Sequence, residues 1–169
     1  MSKLISRAFL FGILFMVSCE NGNQPHKDVT VEAAAQKVTD SLKTLSDIET
    51  TLVAADSLQI LYYDDPEGDS LRYSRFFHYT ISTDSLTINT MKEEFRQSPE
   101  IRNALRNCRA EGKIYLYGKG KELKTVYFST KPGACGFLYI IKNGNFYYVS
   151  LGKSFKDILE TERKESVKP

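Results

Sequence analysis

Residues 136–151 read GFLYIIKNGNFYYVSL and carry the strongest hairpin signal in the chain. Two runs rich in aromatic and β-branched residues flank Asn143-Gly144. Asn-Gly favours the tight turn of a two-residue β-hairpin, because both central residues of that turn take a positive φ. The stretch therefore predicts two antiparallel strands, Gly136–Lys142 and Asn145–Leu151.

Two further strand-like runs, Lys113–Tyr117 and Leu123–Ser129, precede that hairpin. Gly118-Lys119-Gly120 separates them, and Lys131-Pro132-Gly133 separates the second run from the hairpin. Strands joined by short turns must pair antiparallel. The last third of the chain is therefore expected to form a four-stranded meander.

Upstream, Leu58–Tyr63 and Leu71–Ser82 predict a separate hairpin. The segment between them contains Pro66 and Gly68, which punctuate a turn. The same segment carries clustered carboxylates, but their spacing does not fit a calcium-binding loop, so we interpret it as a solvated hairpin tip. The carboxylates are those of Asp64, Asp65, Glu67 and Asp69.

A long helix is expected over Thr30–Ala55, where apolar residues recur every three or four positions. The preferred interpretation is a helix packed on the sheet of its own domain. A heptad pattern in the same residues leaves open a second interpretation, in which the helix pairs with another chain. The heptad positions are Val31, Val38, Leu45 and Leu52.

Three short helices complete the prediction. Thr90–Gln97 has a capping box, Pro99–Asn107 has Ser98 as its cap and proline in its first turn, and a closing helix begins near Ser154. The predicted fold class is α+β, with an antiparallel sheet packed mainly on one face against the long N-terminal helix and the short helices. We expect one domain over 30–160 and a charged, frayed tail over 161–169.

The N-terminus carries export features. Lys3 and Arg7 precede an apolar run, Ala8–Val17, that is too short to span a membrane, and Met16-Val17-Ser18-Cys19 follows. This start resembles the signal of the bacterial lipoprotein class. The resemblance implies a signal peptide over 1–18, lipid attachment at Cys19, and a tether up to residue 29. The alternatives are an ordinary secreted protein cut near Ser18, with no role for Cys19, and an apolar tail that is retained.

In the lipoprotein interpretation, the membrane is a partner through the anchor, and the protein belongs to the bacterial cell envelope. Glu20 follows the cysteine where many inner-membrane lipoproteins carry aspartate, so the outer membrane is the expected destination. Removing the signal takes Lys3 and Arg7 with it and leaves as many acidic as basic residues. The mature chain therefore offers no charge argument for a nucleic-acid partner.

Two cysteines remain, Cys108 and Cys135, in a compartment where disulfides persist. One bridge is the simplest expectation, and closing a loop of about 28 residues contributes roughly 3.6 kcal/mol in the chain-entropy model. A pair of reactive thiols is the alternative, but no Cys-x-x-Cys motif supports it.

No nucleophile motif, cofactor motif or metal-ligand spacing is found in the sequence. His78 is the one histidine of the predicted domain, and we interpret it as a surface or edge residue. The surface with recognition character is the aromatic meander, because tyrosine combines a large ring with a polar tip. The expected contact residues are Tyr115, Tyr117, Tyr127 and Tyr139.

We therefore expect a non-enzymatic envelope protein that binds a protein, peptide or glycan partner through these tyrosines. The alternative for the tyrosines is that they merely cover a half-exposed sheet. For the whole protein, the alternatives are a hydrolase or isomerase that uses carboxylates and His78, and a purely structural lipoprotein.

Overall fold

The computed structural model describes Thr39, Lys43, residues 46–68 and residues 77–169. The first helix, α1, is described over 46–53, and Thr39 and Lys43 are helical as well. The elements that follow are β1 (Ser57–Tyr63), β2 (Phe77–Ser82), α2 (Ser85–Glu94), β3 (Glu100–Arg102), β4 (Gly112–Gly118), β5 (Lys121–Thr130), β6 (Gly136–Lys142), β7 (Asn145–Ser150) and α3 (Lys153–Glu165).

All the strands of the described part belong to one sheet, whose order is β2-β1-β4-β5-β6-β7-β3. Every neighbouring pair is antiparallel. The predicted hairpin and four-stranded meander are therefore confirmed. The sequence did not predict how the hairpin and the meander are joined. In the structure β1 pairs with β4, which makes one continuous sheet.

The helices α1, α2 and α3 contribute to one hydrophobic core on a single face of the sheet. Ile48 and Leu52 of α1 are buried there, so the described part of the predicted long helix packs on its own domain. The α+β class and the placement of the helices are as expected. The fully buried side chains of this core include Leu58, Ile60, Met91, Ile114, Leu116, Phe128, Leu138, Ile140, Phe155 and Leu159.

The turn Asn143-Gly144 has the predicted geometry, with φ values of 52° and 73°. Lys119-Gly120, between β4 and β5, has nearly the same values, 51° and 73°. Positive φ at both central residues is the signature of the hairpin turn whose twist matches that of the strands. A local dipeptide preference therefore survives unchanged in the folded chain.

The predicted helix Thr90–Gln97 begins five residues earlier, at Ser85. The carboxylate of Asp84 accepts hydrogen bonds from the amide and the hydroxyl of Thr87, at 2.8 and 2.9 Å, and so caps α2. Thr90 lies inside the helix, where its hydroxyl donates to the carbonyl of Leu86. The capping-box spacing at Thr90 therefore predicted the wrong N-cap residue for this helix.

The predicted helix over Pro99–Asn107 is wrong. The segment instead forms β3, whose Glu100 and Arg102 pair with Tyr148 and Phe146 of β7. At the edge of β7, the backbone amides and carbonyls of this segment find hydrogen-bond partners. A short isolated helix would have to form all of its backbone hydrogen bonds within itself, and its first turn is costly to form. The local proline and cap signals were overridden by this tertiary contact.

The chain end also differs from the prediction. α3 begins at Lys153 and continues to Glu165, and Val167 then forms a backbone bridge with Tyr79 of β2. The segment 161–169, predicted to be a charged, frayed tail, therefore includes the end of α3 and this bridge.

Several predictions concern residues outside those described. They are the signal peptide, the lipid attachment at Cys19, the tether, most of the long helix, and the first part of the predicted strand Leu71–Ser82. Among the described helices, none combines the length and apolarity needed to cross a bilayer.

Candidate functional site

The four tyrosines predicted as contact residues lie on one face of the sheet. Tyr115 and Tyr117 alternate with the buried Ile114 and Leu116 along β4, and so point away from the helices. In the register, Tyr127 of β5 pairs with Lys113 of β4 and with Tyr139 of β6, which places both tyrosines on that same side. We call the surface formed by Tyr115, Tyr117, Tyr127 and Tyr139 the tyrosine face.

The members of the tyrosine face differ in exposure. Tyr115, Tyr117 and Tyr127 are half-buried, whereas Tyr139 is only 6% exposed. The rings of Tyr127 and Tyr139 are stacked, with 4.8 Å between centroids and 10° between planes. Tyr139 therefore supports the ring of Tyr127 and offers little surface of its own to a partner.

Burial also affects the chemistry of Tyr139. Desolvation, followed by the nearby tyrosines Tyr148, Tyr127 and Tyr63, raises the pKa of its phenol above the ordinary value of 10.0. The ring therefore stays neutral, as a support in an aromatic cluster should.

Polar groups lie beside the exposed tyrosines. The ammonium of Lys113 is 4.6 Å from the ring centroid of Tyr115, within the range of a cation–π contact. The hydroxyl of Tyr117 donates to the side-chain oxygen of Gln59, 3.4 Å away on β1. The face thus presents flat rings together with a cation and an amide.

A second aromatic cluster continues from Tyr139 toward β7 and is covered by the segment 103–111. Phe137 and Tyr148 are fully buried there, and Cys108 and Ala110 pack against the cluster. Beneath this segment the aromatic rings of β6 and β7 are buried, whereas Tyr115 and Tyr117 of β4 remain half-buried.

Arg106 holds the covering segment in place. Its guanidinium carbon is 4.6 Å from the ring centroid of Tyr148, and its backbone amide donates to the Tyr148 hydroxyl at 3.1 Å. The guanidinium also donates to the carbonyl of Ala134 at 3.0 Å and forms an ion pair with Glu100. One side chain thus links the covering segment to three other parts of the fold.

Cys108 and Cys135 form a disulfide, with 5.5 Å between their Cα atoms. The bridge ties the covering segment to the turn between β5 and β6, the same turn that Arg106 contacts through Ala134. The predicted disulfide therefore holds the covering segment in place beside the tyrosine face.

His78 is in an edge strand, as expected, and has a carboxylate partner. Its Nδ1 atom lies 3.2 Å from Oδ1 of Asp64, and about a third of each side chain is exposed. The neighbouring Glu67 forms an ion pair with Lys131. In the described part of the chain, no group of three or more histidine, cysteine or acidic residues is arranged to hold a metal ion.

Sequence reasoning missed three residues of this region: Arg106, Lys113 and Gln59. Arg106 lay in a segment predicted to be helical, so its place over two aromatic rings had no sequence signal. The alternation along β4 does place Lys113 beside Tyr115 and could have identified it. Gln59 becomes a neighbour only because β1 pairs with β4.

A comparison of the chain with models of protein families, with curated proteins and with solved structures finds no match.

Proposed function

We propose that this protein is a lipid-anchored component of the bacterial cell envelope that binds a protein, peptide or glycan partner through the tyrosine face. The observation that carries the proposal is the position of three half-buried tyrosines on the sheet face opposite the helices. A sheet face that served only the core would be covered by a packing layer. Among the described residues, Tyr115, Tyr117 and Tyr127 remain half-buried, whereas Tyr139 and Tyr148 are covered.

Tyrosine is suited to recognition for a physical reason. Its ring contributes apolar area with few rotatable bonds to immobilise, and its hydroxyl remains able to form hydrogen bonds. Stacking of Tyr127 on the buried Tyr139 holds one ring in place before a partner arrives, which lowers the entropy lost on binding. The ammonium of Lys113 adds a site for a carboxylate or hydroxyl of the partner.

The cellular location follows from the N-terminal resemblance. Lipid attachment at Cys19 would hold the domain at a membrane, with the outer membrane as the expected destination. Two or three acyl chains give stable anchoring where one chain gives only reversible binding. Replacing Cys19 with serine and separating soluble from membrane fractions tests this part of the proposal, because the variant should leave the membrane fraction.

The binding test compares full-length variants in their own envelope. A double substitution, Tyr115→Ala with Tyr117→Ala, is expected to weaken partner binding at least tenfold. Leu86→Ala is the matched control, because Leu86 is 69% exposed on α2 and α2 packs on the other face of the sheet. Equal binding by the double variant and the control, with both proteins folded, would contradict the proposal.

The folding check for this test is a thermal unfolding curve of each variant. Tyr115 and Tyr117 are half-buried, so their loss should lower the unfolding midpoint only modestly. If the double variant does not fold, the tyrosines serve the core and the proposed binding face is wrong.

One observation favours a second candidate, an envelope hydrolase or isomerase. The contact between His78 and Asp64 is the arrangement by which a carboxylate orients an imidazole for proton transfer. In that case His78→Gln would abolish activity and leave binding by the tyrosine face intact. We rank it second because the pair is partly exposed at an edge of the sheet and no nucleophile motif accompanies it.

A further inference from the structure

The strand β2 forms one edge of the sheet, and the end of the chain pairs with it at a single residue. The amide of Tyr79 donates to the carbonyl of Val167 at 2.9 Å, and the amide of Val167 donates to the carbonyl of Tyr79 at 3.0 Å. In a strand, the backbone groups of alternate residues point to the same side. The backbone groups of Phe77 and Ile81 therefore point toward the same outer edge as those of Tyr79.

In the described part of the chain, backbone pairing covers only the middle of this edge. Val167 pairs with Tyr79, and among the described residues no strand or bridge pairs with the outer edge at Phe77 or Ile81. Continuing the antiparallel register would bring Pro169 opposite Phe77, and proline has no amide to donate. The side chain of Ile81 is 64% exposed. Among the described residues, the outer edge of β2 is therefore paired by the two backbone hydrogen bonds at Tyr79.

The two edges of the sheet are protected differently. β3, at the far edge, has three residues, of which Glu100 and Arg102 are charged. Short length and charge are two common means of preventing edge-to-edge pairing. β2 reads FHYTIS and contains no lysine, arginine, aspartate or glutamate. Its protection comes from the paired tail.

We infer that β2 pairs antiparallel with β2 of a second copy of this chain when the tail releases Tyr79. The strand is complementary to itself about Tyr79: Phe77 would face Ile81 of the other copy, and His78 would face Thr80. Apolar residues then meet apolar residues on one face, and no like charges are brought together. Such a contact is closed by a two-fold axis, the usual symmetry of protein dimers.

This pairing has a consequence for the tyrosine face. A two-fold axis that relates adjacent antiparallel strands of one sheet runs perpendicular to the sheet, so the same face of each copy stays on the same side. Phe77, Tyr79 and Ile81 lie on the side of the tyrosine face, because Ile81 pairs with Gln59, and Gln59 pairs with Tyr115. The dimer would therefore present both tyrosine faces in one direction.

Cysteine trapping in the full-length chain tests the inference. Val167→Pro removes the amide that binds Tyr79 and should release the edge. In that background Tyr79→Cys is expected to give an intermolecular disulfide, because the residue would face its own copy at about 5.5 Å between Cα atoms. Ile81→Cys is the matched control, since it is exposed on the same strand but would lie about 14 Å from its copy.

The expected result is at least fivefold more covalent dimer from the Tyr79→Cys chain than from the Ile81→Cys chain, on non-reducing gels. Val167→Ala retains the amide and should suppress that dimer. If Tyr79→Cys does not fold, a mixture of Phe77→Cys and Ile81→Cys chains should cross-link instead. Equal dimer from the Tyr79→Cys and Ile81→Cys chains, or no cross-link in the mixture, would overturn the inference. Neither result bears on the tyrosine face, because Tyr115, Tyr117 and Tyr127 take no part in the contact.

Discussion

The backbone amide of Gly152 donates a 2.7 Å hydrogen bond to the carboxylate of Glu94. Gly152 precedes α3 and Glu94 ends α2, so this contact joins the two helices that follow the two halves of the sheet. The carboxylate fits because residue 152 has no side chain: a Cβ atom there would lie 2.5 Å from an oxygen of Glu94. The residue pair is therefore matched in shape as well as in hydrogen bonding.

Glu94 makes stability depend on pH. Burial raises the pKa of its carboxyl above the ordinary value of 4.5, and the hydrogen bond from Gly152 opposes this only in part. The folded state therefore binds the proton more tightly than the unfolded state. The stabilisation this provides is complete below the unfolded pKa and is lost as pH rises through the folded pKa.

We expect Glu94→Gln to remove that pH dependence. The amide of the glutamine keeps an oxygen for Gly152 and carries no charge. As pH rises from 4 to 7, the free energy of unfolding of the variant should therefore increase relative to that of the original protein. Urea unfolding at several pH values measures the difference. Glu93→Gln is the control, because its side chain is 56% exposed in the same helix. Parallel pH profiles for Glu94→Gln and the unchanged protein would contradict this account.

Arg106→Ala should destabilise the domain by about 2–3 kcal/mol. The variant loses a charged hydrogen bond to Ala134 and the cation–π contacts with Tyr148 and Phe137, in a side chain that is only 18% exposed. Arg106→Lys keeps the charge but lacks the planar donors, so we expect it to recover less than half of the loss. Urea unfolding checks both variants, and a loss under about 0.5 kcal/mol for Arg106→Ala would show that the covering segment is held by other contacts.

Replacing Cys108 and Cys135 together with serine should lower the free energy of unfolding by about 3 kcal/mol. The bridge connects the covering segment to the turn before β6, so amides of residues 103–111 should exchange with solvent faster in the variant. Reducing agent added to the original protein should lower its free energy of unfolding by the same amount. No shift on reduction would mean that the bridge contributes nothing to stability.

Tyr62→Phe should cost about 1 kcal/mol. The hydroxyl of Tyr62 donates a 2.8 Å hydrogen bond to the carbonyl of Leu159, and both side chains are buried between β1 and α3. Tyr127→Phe makes the same chemical change at a half-buried ring of the tyrosine face and should cost less. Thermal unfolding compares the two, and equal losses would show that the hydrogen bond to Leu159 has no net value.

Local sequence signals predicted the strands well. Gly136–Lys142 has the predicted bounds, and Asn143-Gly144 has the predicted turn, because both depend on neighbours in the chain. The same kind of signal failed at Pro99–Asn107 and Thr90. At Pro99–Asn107 the contact that decided the structure came from β7. At Thr90 a better cap, Asp84, lay one turn and a half upstream.

The candidate site divides in the same way. The alternation of β4 puts Tyr115 and Tyr117 on one side, and that is visible in the sequence. The burial of Tyr139, by contrast, results from the stacked ring of Tyr127 and from the cluster with Tyr148. The sequence of β6 contains no pattern that distinguishes the buried Tyr139 from the half-buried Tyr115 and Tyr117 of β4.

Sequence patterns were sufficient to predict the α+β class, the antiparallel meander, the pairing of Cys108 with Cys135, and the shared face of the tyrosines on β4. These depend on alternation, turn dipeptides and the count of cysteines, which act over short distances or have few solutions. Three features could be seen only in the folded chain: β1 lies beside β4, Arg106 packs over Tyr148, and Val167 pairs with Tyr79. Each of these contacts joins residues far apart in the chain. Local preferences are compatible with many such pairings, and burial and backbone hydrogen bonding select one of them.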